Sequence, residues 1–256
     1  MSIFAERLFM YRYIFVLFLI ASACNSPQEL SAEAIIDKAI AVACNGNCDS
    51  AEIKFTFREN LYKSRRNNGR YTMERISKDS LNEYRDVITN DGFQRFLNDS
   101  IVKIEDSISM KLSNSVNSVH YFAQLPYGLD ATSVLKKKVG EATIKGKDYY
   151  KIEVRFKEEG GGTDFDDVFL YWIHKENFTV DYMAYSYNVN GGGIRFREAY
   201  NPRIINGIRF VDYKNYKPES LNVPLNELDE LFQEDKLSLL SLIETEDVAV
   251  ELLTKN

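Results

Sequence analysis

Apolar residues recur along this chain with two periods. Between Ser31 and Ala43, Ile35, Ala39 and Val42 are spaced for one face of a helix, with Ser31 placed as N-cap and Glu33 in the first turn. From Ala51 the period falls to two. Ile53, Phe55 and Phe57 alternate with Lys54, Thr56 and Arg58, the pattern of a half-buried strand. Asn67-Asn68-Gly69 turns the chain into a strand over 70–76, and Asp91-Gly92 joins strands over 84–89 and 93–97. Helical spacing returns from about Ser107 to Gln124, where Ile108, Leu112, Val119 and Phe122 share a face until Pro126 and Gly128 stop it. A meander follows, with strands over 149–157, 168–173, 178–187, 193–200 and 208–216. Val168 to Ile173 is apolar at every position, which predicts a strand covered on both faces. Leu225, Leu228 and Leu231 suit a helix within Pro224 to Phe232, and a strand-like run covers about 239–252. The expectation is an α+β fold, mainly antiparallel β. About nine or ten strands, with two or three helices, form a curled incomplete barrel, because open twisted sheets of that size curl. No linker or repeat divides residues 31–256, so one domain is expected there.

The N-terminus reads as an address. Arg7 and Arg12 precede an apolar run, Tyr13 to Ala23, of about eleven residues, which is short for a spanning helix. Ala21-Ser22-Ala23 then runs directly into Cys24, which resembles the lipobox of bacterial lipoproteins, with Ala21 where a Leu is more usual. That resemblance implies a signal over 1–23, acylation of Cys24 by chains such as palmitate, and a polar tether over 24–30. A plain secretory signal and a short uncleaved anchor are the other readings, and all three put the chain in the cell envelope. The tether has no acidic cluster, which favours the periplasmic face of the outer membrane. With 32 basic and 38 acidic residues the net charge is −6, the wrong sign for a nucleic-acid partner.

Cys44 and Cys48 bracket Asn-Gly-Asn, and in an oxidising envelope such a pair can close a small ring across a turn. A redox pair or half of a metal site are the rivals. A redox motif, however, places its pair at a helix start, and His120 and His174 are too far apart to complete a zinc site. There is no G-x-S-x-G, H-E-x-x-H, G-x-G-x-x-G or phosphate-loop motif, and neither enzyme chemistry nor a cofactor is expected. Glu158, Glu159, Asp164, Asp166 and Asp167 crowd one glycine loop, either as oxygen ligands for a hard cation or as a solvated tip; no metal is expected there. After the glycines at 191–193, Arg195 and Arg197 project to one face of a strand. There they are placed to meet a carboxylate or phosphate headgroup, or to pair with acids on neighbouring strands. Together with Glu198, His120, Tyr127 and Tyr171 they are the candidate ligand-binding residues. The sixteen Tyr and 16 Phe suit both a strand core and an aromatic-lined pocket.

Four segments, His120 to Leu129, Glu158 to Ile173, Asp181 to Tyr200 and Gly207 to Tyr213, resemble an uncharacterised family of Bacteroidota envelope lipoproteins, to which no activity attaches. The layout is also similar to the lipoprotein-carrier fold of the Lol system, an incomplete antiparallel barrel closed by helices over an apolar cavity, which is an analogy of architecture alone. Together these readings lead to an expected function: a membrane-anchored lipoprotein that binds a hydrophobic or amphiphilic molecule on the concave face of its sheet without turnover. The alternatives are a module that docks onto other envelope proteins, or a hydrolase or lyase using carboxylates of the 158–167 loop with Arg195, Arg197 or Glu198.

Overall fold

Helix α1 (Ala32–Cys44) opens where the Ser31 side chain accepts a hydrogen bond from the Ala34 N–H at 3.2 Å, and it ends at Asn45 in the left-handed conformation. The computed structural model describes residues 29–159, 167–188 and 191–254. The buried stripe of α1 is Ile35, Ile36, Ala39 and Ala43, whereas Val42 is exposed. Cys44 and Cys48 are joined by a disulfide just past its end, stapling the turn that leads to β1.

Among the described residues, fourteen strands form two seven-stranded antiparallel sheets that do not close into a barrel. The first sheet contains β1 (Ala51–Phe57), β2 (Asn60–Asn67), β3 (Arg70–Lys78), β4 (Glu83–Thr89), β5 (Gly92–Leu97), β6 (Ser100–Val102) and β14 (Glu246–Leu252), in the order β14-β1-β2-β3-β4-β5-β6. The second contains β7 (Val134–Ile144), β8 (Lys147–Phe156), β9 (Val168–His174), β10 (Val180–Tyr187), β11 (Gly193–Ile205), β12 (Ile208–Lys217) and β13 (Ser238–Ile243), in the order β13-β12-β11-β10-β9-β8-β7. Helix α2 (Asp106–Ala123) and the short α3 (Leu228–Gln233), preceded by a 3-10 turn at Leu225–Glu227, complete the elements among the described residues.

The sequence pattern undercounts the strands by four. It passes over β2, β6 and β7, whose faces carry Lys, Arg and Ser, and it reads the tail as one strand. That tail leaves the second sheet after β13 and enters the first as β14. The change of sheet is held by Asp212, 3% exposed, which accepts from the Thr245 N–H at 3.0 Å, from Asn201 at 2.7 Å and from Arg203 at 2.9 Å. Arg203 in turn donates to the Thr245 carbonyl at 2.6 Å. A buried carboxylate with this many donors holds the crossing in one geometry.

Strand β9 is covered on both faces, as its unbroken apolar run predicts. On one face Leu170 and Trp172 join Tyr182, Phe196 and, from α3, Leu228 and Phe232 in one core cluster. On the other, Phe169 and Tyr171 meet α2, whose Tyr121 ring packs edge-on to Phe156 at 6.2 Å and to Phe169 at 5.9 Å. The opposite side of α2 rests on the first sheet through Val119, Phe122 and His120, which pack on Phe55, Phe57 and Tyr62, and through polar contacts. Ser115 accepts from Arg75 at 2.8 Å, and Arg75 also pairs with the fully buried Asp86 at 2.6 Å, which Arg95 approaches at 3.3 Å.

Candidate functional site

Strand β2 turns Tyr62, Ser64 and Arg66 to one face, because alternate residues of a strand point the same way. The first two are buried against α2, and the third reaches a cleft of about 490 Å³. The walls come from β2 and β3 (Arg66, Tyr71, Met73), from α2 (Asn117, His120, Tyr121) and from Tyr127 in the loop beyond the helix. Asp49 and Ser50, next to the disulfide, close one side. Three tyrosine rings and a methionine share the walls with charged and amide side chains, so the cleft offers both apolar area and polar groups to a small molecule.

The polar groups form one chain of hydrogen bonds. Arg66 Nη1 donates to Gln124 Oε1 at 2.5 Å, and its guanidinium lies 4.3 Å from the Tyr127 ring centre. Gln124 Nε2 approaches Ser64 Oγ at 3.3 Å and His120 Nδ1 at 3.4 Å, while His120 Nε2 meets the Glu74 carbonyl at 3.0 Å. A carbonyl only accepts, so Nε2 carries the His120 proton and Nδ1 is free to accept from the amide. Burial pushes the His120 pKa down to about 4, against the bond to Glu74, so the ring is neutral at ordinary pH. The Tyr127 hydroxyl donates to Asp49 at 2.9 Å, and burial carries its pKa up to about 12. Burial likewise lowers the pKa of Arg66, which still stays charged. The result is a cation with one ring and one amide as direct partners, at the edge of a largely apolar hollow.

The candidates read from the sequence separate into three places. His120 and Tyr127 line the cleft. Arg195, Arg197 and Tyr171 lie on the inward face of the second sheet. Tyr171 is 0% exposed and hydrogen-bonded to Tyr121, and Arg197, 9% exposed, donates to Tyr185 at 2.9 Å. Arg195 donates to Tyr187 at 2.7 Å, whose ring occupies the space that a Cβ on Gly193 would need. The inward face is therefore filled by α2 where Tyr171 and Arg197 lie, which corrects the expectation that these two line an open concavity. Glu198 lies in a third place. It points to the opposite face of β11 and pairs with Lys145 at 2.6 Å and Lys214 at 3.3 Å, beside a second hollow of about 320 Å³. Burial raises its pKa, but the two ammonium groups outweigh that and hold the carboxyl below its ordinary value. Glu198 thus does not converge with the arginine pair, as a hydrolase or lyase built from these groups requires.

Among the described residues no group of acids, histidines or cysteines is arranged to hold a metal. Of the acidic loop, Glu158, Glu159 and Asp167 are described, whereas Asp164 and Asp166 lie outside the described residues, as does Cys24. No helix among the described residues is long and apolar enough to cross a membrane. Sequence reasoning missed Arg66, Gln124 and Asp49. Two signals pointed to the first two, the period-two spacing of Tyr62, Ser64 and Arg66 and the one-turn spacing of His120 and Gln124, and none pointed to Asp49.

The chain is similar to a LolA superfamily protein of Nitrosomonas europaea, with 13% identity over 89% of this chain and 96% of that one, at a TM-score of 0.49. It is also similar to a DUF1329 family protein of Desulfovibrio piger, with 13% identity over 86% and 93% of the two chains and a TM-score of 0.44. The lipoprotein LppX of Mycobacterium tuberculosis matches at 12% identity over 63% and 89%, with a TM-score of 0.28. At such identities and scores the likenesses say nothing of a ligand. No curated protein matches the chain. A family model covers residues 11–245, and the chain therefore belongs to DUF6503, a family of unknown function.

Proposed function

We propose that this is a lipid-anchored envelope protein that binds an apolar or amphiphilic molecule, without turnover, in the cleft between α2 and the β2–β3 hairpin. The supporting observation is the cleft itself: about 490 Å³, walled by Tyr71, Met73, Tyr121 and Tyr127. Rings bury much apolar area on a ligand at small entropic cost, and the polar groups between them orient it. In this reading residues 1–23 are the signal, Cys24 carries the acyl chains, 24–30 are the tether and the body from residue 31 stands off the periplasmic face of the outer membrane. Several acyl chains suffice for that anchorage, at roughly 0.8 kcal/mol per buried methylene.

Titration of the full chain with a fluorescent fatty acid tests the cleft. Asn117 is an exposed wall residue of α2, so Asn117→Trp fills the hollow without disturbing the core. The expected result is saturable binding to the wild type and its loss in Asn117→Trp at unchanged melting temperature. Equal binding by both proteins refutes the cleft as the site. Lipid labelling that persists in Cys24→Ser refutes the anchor.

A second reading, a docking module for envelope proteins, is favoured by β13. It is an edge strand, paired only with β12, and it exposes Leu239, Leu240 and Leu242 without a charge among its six residues. Uncharged apolar edges invite strand addition. Loss of a crosslinked partner in Leu240→Lys, with fatty-acid binding absent from the wild type, selects this reading.

A further inference from the structure

We propose that the cleft selects anionic amphiphiles, with the Arg66 guanidinium taking a carboxylate or phosphate headgroup while the ring-lined wall takes the chain. This rests on the cleft being a ligand site and adds the class of ligand.

Arg66 lines the cleft, and no carboxylate among the described residues forms an ion pair with it. A guanidinium carries five N–H donors in a planar fork. One goes to Gln124, and the Tyr127 ring covers a face. Asp49, the acid of the cleft wall, is engaged by the Tyr127 hydroxyl at 2.9 Å. The other inward-facing arginines are supplied differently. Arg75 and Arg95 share the carboxylate of Asp86, Arg195 has the Tyr187 hydroxyl, and Arg197 is surrounded by the rings of Phe122, Tyr185 and Tyr213. Asp49 acts on Arg66 at a distance without forming an ion pair, and Arg66 alone among these has an open hollow in front of it.

A cation partly withdrawn from water loses hydration that a single amide does not replace. An anion in the hollow restores that loss by a charge-assisted pair, bidentate where the fork allows. The support behind the cation is already rigid. Gln124 is held by Ser64 and His120, and Tyr127 by Asp49, so little side-chain freedom remains to be lost on binding. Arg70, exposed on the cleft rim, adds a second positive charge, with Asp49 on the wall and Asp130 near Tyr127 as the neighbouring acids.

The test compares three probes on the purified full chain: parinaric acid, its methyl ester, and inorganic phosphate as a headgroup without a chain. Wild type is expected to bind the acid at least about tenfold more tightly than the ester, a difference of about 1.4 kcal/mol. Arg66→Gln is expected to erase that preference while the ester's affinity stays as it was, which also shows that the variant is folded. Arg66→Lys, which keeps the charge but not the fork, is expected to restore part of it. Equal affinity for acid and ester in the wild type, or a preference that survives in Arg66→Gln, overturns the inference and leaves the cleft as an apolar site. Inorganic phosphate binding more tightly than the fatty acid makes the site one for free anions and overturns the amphiphile. If neither acid nor ester binds, the reading of the cleft itself fails.

Discussion

Arg66 and Arg197 sit on inward-facing strand positions beside aromatic rings, on either side of α2, yet their surroundings differ. Arg197 has the rings of Phe122, Tyr185 and Tyr213 at 5.1, 5.1 and 5.9 Å, a hydroxyl at 2.9 Å, and 9% exposure. Arg66 has one ring at 4.3 Å and one amide, and it faces a hollow. The helix between them makes the difference. Toward the second sheet α2 presents Tyr121, whose ring packs on Phe156 and Phe169. Toward the first it presents His120, Asn117 and Ser115, shorter and polar, which leave a gap that nothing on β2 or β3 closes. A cation closed in by rings is part of the core; a cation with one side left open is equipped to recognise something.

Breaking the filled side should cost the most. Tyr171→Ala removes a fully buried ring and its hydrogen bond to Tyr121 and is expected to destabilise the chain by about 3–5 kcal/mol, read by chemical denaturation. Tyr121 also walls the cleft, so the folded variant is expected to bind the fatty-acid probe more weakly than the wild type. Unchanged binding in the folded variant would show that the Tyr121 ring keeps its place without that hydrogen bond.

The pH dependence probes the open side. His120 is held neutral in the folded chain, with its pKa near 4, whereas in the unfolded chain it takes up a proton near the ordinary 6.5. Protonation therefore favours the unfolded state. Stability is fully present above about pH 6.5 and falls as the pH drops toward 4, by about 3 kcal/mol from this group. Denaturation of wild type and His120→Gln across that window is expected to show a shallower loss in the variant, and parallel curves would remove His120 as the cause.

The smallest effect sharpens the contrast directly. Arg197→Ala empties a place closed in by three rings and is expected to cost about 2 kcal/mol, much of it packing by the side-chain stem. Arg66→Ala, whose side chain borders a hollow already present, is expected to cost less than about 1 kcal/mol while weakening binding of the fatty-acid probe. Equal costs for the two would mean that both guanidiniums are structural.

Much of the fold was legible in the pattern. Ser31 marked the start of α1, the alternation of Ile53, Phe55 and Phe57 marked β1, and the unbroken apolar run of β9 announced cover on both faces. These are local properties: a cap satisfies nearby N–H groups, and a period of two selects one face of a strand. The strands that escaped notice were those with polar inward faces or at sheet edges. β2 turns Tyr62, Ser64 and Arg66 inward, and β7 is a lysine-rich edge. The residues that made β2 hard to recognise as a strand are also those that build the cleft, because a half-open site needs the polar groups that a sealed core excludes.

The chain order thus determined the helices, most strands and the pairing of Cys44 with Cys48 across a short turn. It did not determine which side of α2 would fill and which would stay open, nor that Lys145 would reach Glu198. Those outcomes depend on residues far apart in sequence arriving together: Tyr121 with Tyr171, Gln124 with Arg66, Asp49 with Tyr127. Periodicity states which face a side chain takes. Only packing states how much room is left in front of it.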